Sequence, residues 1–137
     1  MISKLPLEDA RHLSAADGWL DLGDHVSAFE QLEEIAPLNR AHPEVLKLRL
    51  RIYSTAKKWD STFALAEGLH RQLPDDPEVT LALARCCTVA GRLDDARQWL
   101  TVTFEKAERQ GTAKLWKLKA LDDQHLAPLF SSSSEPA

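Results

Sequence analysis

The chain has 137 residues, 44% of them hydrophobic and 28% charged, with a formal net charge of −4. Such a composition is that of an ordinary globular protein, and the acidic balance excludes the strongly basic surface of a general nucleic-acid binder. No stretch holds 18 uninterrupted apolar residues, and residues 1–7 carry one Lys and no apolar run of signal-peptide length, so a soluble cytoplasmic protein without a membrane partner is expected.

Charge is unevenly spread. Residues 1–40 hold eight acidic and three basic side chains, a net of −5, which leaves +1 for the remaining 97 residues. The length suits one domain, expected over residues 1–130.

In chain order, Pro6 with Glu8 and Asp9 reads as a first helical turn, where Pro is tolerated and negative charge complements the helix dipole. Ala10, Leu13, Ala16 and Leu20 keep one face apolar until Gly23-Asp24 breaks the helix. A second helix carries Ala28, Phe29, Leu32 and Ile35 at inward spacing and stops before Pro37. The pattern restarts at Pro43 with Val45, Leu46, Leu50 and Tyr53, turns at Lys57-Lys58-Trp59-Asp60, and returns through Phe63, Ala66 and Leu69 to Pro74. A third pair runs through Leu81, Leu83, Ala84 and Cys87, turns at Gly91, and continues with Ala96, Trp99, Leu100 and Phe104. One more helix, roughly Thr112 to Gln124, has no partner long enough to complete a fourth unit and reads as a cap. Leu115, Trp116, Leu118 and Leu121 are expected to cover the third pair, with Lys114, Lys117 and Lys119 in water. Residues 131–137 form a low-complexity polar tail, expected to be flexible.

These units repeat. Pro43-Glu44-Val45 and Pro77-Glu78-Val79 lie 34 residues apart, and the same step pairs Gly23 with Lys57 and Gly91, and Ala28 with Thr62 and Ala96. A 34-residue period marks a helix-turn-helix unit that cannot bury its apolar face alone and stacks on the next. In this register the repeats are 9–42, 43–76 and 77–110, followed by the cap at 112–124. The eighth position is Ala16, Leu50 and Ala84, and the twentieth Ala28, Thr62 and Ala96, mostly small groups that let paired helices approach. Period, turns and small residues together resemble the tetratricopeptide repeat family, of short bacterial type. The resemblance implies an all-α, right-handed solenoid of three repeats plus a capping helix, acting as a non-enzymatic adaptor or scaffold. Trp19-Leu20-Asp21-Leu22-Gly23 matches the family's Trp-x-x-Leu-Gly string but is out of register, since accepting it would place the helix turn near Glu30. The stretch Leu118 to Leu129 resembles the C-terminal segment of short bacterial repeat proteins likened to kinesin light chains, some of which associate with tubulin-like filaments. That second resemblance implies, as an alternative, an accessory protein decorating such a filament.

No catalytic constellation stands out. The five His residues are scattered, none at the i, i+4 spacing of helical metal ligands, and the five glycines sit singly, without a phosphate-binding loop. Asp122, Asp123 and His125 read as a helix end. No cofactor, metal site or enzymatic activity is expected. Cys86 and Cys87 are adjacent on a helix, where neighbouring side chains diverge by about 100°, so both are expected to be reduced and inert. The candidate site is basic. Lys47 and Arg51 lie one helical turn apart, and stepping 34 residues from Arg51 gives Arg85 and then Lys119. In the resembling family this register lines the concave groove, which implies partner-binding residues Lys47, Arg51, Arg85 and Lys119 holding an acidic segment of another protein. The equivalent positions of the first repeat are Leu13 and Asp17, so the sign changes towards the N-terminus.

Overall fold

Pro43 and Pro77 open two helices 34 residues apart, each at a first-turn position where the missing N–H costs nothing. In the computed structural model, which describes residues 4–131, the elements are α1 (Leu7–Asp21), α2 (His25–Glu33), α3 (Pro43–Thr55), α4 (Trp59–Gln72), α5 (Pro77–Val89), α6 (Leu93–Gln110), α7 (Ala113–Asp122) and α8 (Ala127–Ser131). Short 3-10 turns lie at Pro37–Asn39 and Gln124–Leu126. The described residues contain no strand, and the fold is an all-α helical repeat. Two compact units, residues 1–61 and 62–137, divide within α4. Of the tail expected to be flexible, Ser131 closes α8 and residues 132–137 lie outside the described residues.

Each helix pair is closed by the same device. Gly23, Lys57 and Gly91 all adopt left-handed backbone, with φ of 81°, 60° and 80°. One residue later, the N–H of Asp24, Lys58 and Arg92 donates to the carbonyls of Trp19, Tyr53 and Cys87 at 3.0, 2.9 and 2.9 Å. That is the Schellman arrangement, which satisfies carbonyls orphaned at the helix end. No heavy atom approaches within 4 Å of where a side chain on Gly23 or Gly91 would begin, so φ rather than crowding selects glycine there.

In the first unit α1 and α2 pair and both touch α3. Ala16, Ala28, Leu32, Ile35, Val45, Leu48 and Ile52 form the core, with Leu13, Leu20 and Phe29 packed against it. α2 runs unbroken through Glu30, which rules out the register of the Trp19–Gly23 string. Asp9 does more than complement a helix dipole: it is buried and accepts from the Ala36 N–H at 3.1 Å and from Asn39 Nδ2 at 2.6 Å, tying α1 to the chain beyond α2. Arg40 closes the same corner by donating to the Ile35 and Glu33 carbonyls at 3.0 and 2.7 Å.

In the second unit α5 is buried on nearly every side and pairs with α6. The Thr80 and Thr103 hydroxyls meet at 2.7 Å inside this pair, so that one donates to the other and the second donates to a carbonyl of its own helix. The cap differs from expectation. Trp116 packs on the core and Ala120 is fully buried, but Leu115, Leu118 and Leu121 are 49%, 56% and 63% exposed. Trp116 and Ala120 are four apart and share the inward face, and the small Ala120 brings α7 close to its neighbours, which turns the leucines outward. The covering is supplied instead by Leu126 and Leu129, from the chain that folds back after α7.

Candidate functional site

Helix α3 carries three cations on successive alternate positions, and they do different work. Arg49 lies 5.4 Å over the Phe29 ring and 3.7 Å from Glu33, so it braces α3 against α2. Lys47 and Arg51 occupy the adjoining face, Lys47 half-buried and Arg51 exposed. Arg51 Nη1 stands 3.7 Å from Asp17 Oδ1 on α1. These two residues hold the same position in successive repeats, so the acidic member of the register meets the basic one directly. With side chains 43% and 54% exposed, the pair is wet, and ion pairs of that kind are worth at most about 1 kcal/mol.

Arg85, the next member, is held more tightly. Its Nε donates to Asp123 Oδ2 at 2.6 Å, with side chains only 20% and 12% exposed. The other Asp123 oxygen accepts from the His125 N–H at 2.9 Å and so caps the 3-10 turn after α7. Asp123 therefore belongs to the architecture of the cap, and Arg85 anchors α5 to it. Lys119 is exposed on α7 with its Nζ 5.1 Å from the Trp116 ring. The structure thus sets Lys47 with Arg51 on one helix of the first unit, and Arg85 and Lys119 on two neighbouring segments of the second.

A concave feature of the first unit escaped sequence reasoning. Val26, Phe29, Ile52, Tyr53 and Ala56 wall a cleft of about 200 Å³, with His25, Glu30 and Lys58 at its rim. Its only sequence signal was Val26, an apolar residue on the first turn of α2 and off that helix's inward stripe; it is 60% exposed.

The thiols are chemically quiet. Neither cysteine is in a disulfide and both are buried, and burial pushes the Cys86 thiol up to about 11, with Cys87 raised for the same reason. At neutral pH neither is a thiolate, the form that reacts. Among the described residues no group of three or more His, Cys, Asp or Glu side chains is placed to hold a metal ion, and no helix is long and apolar enough to cross a membrane.

A family model described as tetratricopeptide repeat matches residues 53–121. No curated protein and no solved structure matches the chain.

Proposed function

Since the chain belongs to the tetratricopeptide repeat family, whose repeats generally mediate protein–protein interaction and are typically non-enzymatic, we propose that it is an interaction module that holds an acidic segment of a partner protein through Lys47, Arg51, Arg85 and Lys119. The observation that carries this reading is the contact between Asp17 and Arg51: a carboxylate already sits against the basic register, loosely enough for another to replace it. Lys47, one turn before Arg51 on α3, supplies a second cation for the incoming chain, and charge-assisted hydrogen bonds supply the hold. Arg51 is the principal contact in this reading. Arg85 contributes field more than direct bonding, because its guanidinium is already engaged by Asp123.

The test uses the partner recovered from the source organism. Lys47→Glu with Arg51→Glu should reduce its affinity at least tenfold without loss of helical circular dichroism, while Arg71→Glu with Arg109→Glu, both exposed positions, should leave it unchanged. Equal loss from the two double variants, or none from the first, would remove the α3 cations from the site. Binding that requires an assembled polymer rather than a free segment would favour the filament-decorating alternative.

A further inference from the structure

Nine large apolar side chains are exposed among the described residues, and six of them fall on two short segments. Leu115, Leu118 and Leu121 lie along the outer side of α7. Trp19, Leu22 and Val26, at 41%, 77% and 60% exposed, flank the α1–α2 turn, and Val26 also walls the adjoining cleft. Exposed apolar patches of this kind mark contact surfaces.

The two segments carry opposite charge. Leu7 to Glu33 holds seven acidic residues against the single basic Arg11, whereas α7 holds Lys114, Lys117 and Lys119 against Asp122. Some of the acids are already committed, Asp9 to Ala36 and Asn39 and Asp17 to Arg51. Asp21 and Glu30 are exposed, and Glu30 stands on the rim of the cleft. The shapes also correspond: α7 offers a projecting row of leucines and the first unit a hollow. At about 200 Å³ the cleft exceeds the roughly 150 Å³ opened by truncating a buried leucine, so it has room for one such side chain.

We propose that α7 of one copy docks on the α1–α2 face of a second copy, with a leucine of the row seated in the cleft and Lys114 and Lys117 facing Asp21 and Glu30. The two surfaces are different, so the contact is heterologous: each pair of docked copies keeps one unused donor at one end and one unused acceptor at the other, and association continues head to tail. The charges steer the encounter and fix its polarity, and the leucines exclude water from the centre.

Sedimentation velocity of the full chain at rising concentration tests this. Wild type should gain mass progressively beyond a dimer, and added salt should reverse the gain. Leu118→Glu with Leu121→Glu, and separately Val26→Lys, should each remain monomeric with unchanged helical circular dichroism; Leu22→Lys serves as a second acceptor variant if Val26→Lys loses structure. Mixing the α7 variant with an acceptor variant leaves one donor and one acceptor, and should give a one-to-one dimer and nothing larger. Arg51→Glu should associate like wild type, which separates this contact from the proposed partner site. A wild type that stays monomeric throughout would overturn the proposal, and so would dimerisation of Val26→Lys by itself, which would mean that α7 pairs with its own copy.

Discussion

Lys57 shows how a single residue can be at odds with the position it fills. Gly23 and Gly91 occupy the same turn site with φ near 80°, and Lys57 adopts φ of 60° there with a side chain attached. Left-handed backbone costs a residue with a side chain roughly 1–2 kcal/mol, while glycine loses part of that advantage to its larger unfolded-state entropy. Lys57→Gly should therefore stabilise the protein by about 0.5–1 kcal/mol in a urea titration, and Gly91→Ala should destabilise it by about 1 kcal/mol. Asp24 makes a different residue-scale contribution. Its carboxylate accepts from the Ser27 N–H at 2.9 Å and the Ser27 hydroxyl at 2.7 Å. The backbone bond first, and the hydroxyl next, hold its pKa below the ordinary aspartate value. A depressed folded-state pKa gives stability that is present above the unfolded value and lost as pH falls through the folded one. The stability gap between wild type and Asp24→Ala should accordingly be full at neutral pH and close in acid. Asp24→Asn keeps an acceptor oxygen at the cap and should lack that pH dependence.

At the scale of elements, the cap is where burial departs from simple apolar periodicity. Leu118 is 56% exposed on α7, whereas Leu126, eight residues on in a 3-10 turn, is fully buried in the second core. Leu126→Ala should cost about 2–5 kcal/mol through lost contacts and the cavity left behind. Leu118→Ala should stay within about 0.5 kcal/mol. Chemical denaturation of the two variants side by side measures the contrast, and equal losses would mean that α7 is turned the other way. The same element explains why Arg85 is held: Asp123 ends α7 through its backbone N–H, while its carboxylate caps the following turn and accepts from Arg85, so one residue serves three structural ends.

For the whole molecule, a helical repeat offers side chains at one register from successive units, and binding depends on how many of them remain available. The acidic N-terminal segment meets the basic register through Asp17 and Arg51. Under the proposed function, an acidic partner would displace a weak surface pair instead of arriving at isolated cations, so its net gain would be modest and carried largely by long-range attraction. Salt screens such attraction over about 8 Å at physiological ionic strength. Affinity for the partner should thus fall steeply with added salt in wild type and weakly in the Lys47→Glu, Arg51→Glu variant, as titration calorimetry at graded ionic strength would show.

The 34-residue spacing of Pro43 and Pro77, with Gly23 and Gly91 at the turns, determined the helix pairs, because proline placement and left-handed backbone are local properties. Burial of Ala28, Thr62 and Ala96 followed from the same register, since close helix approach needs small side chains. Local pattern could not say which of several apolar faces α7 turns inward, because Trp116 with Ala120 and the leucine row are both acceptable stripes; the chain folding back through Leu126 and Leu129 decided it. Nor could spacing show which cations are engaged. Arg51 and Arg85 are equivalent in register, yet one makes a wet pair with Asp17 and the other a nearly dry one with Asp123, a difference set by the residues that tertiary packing brings beside them.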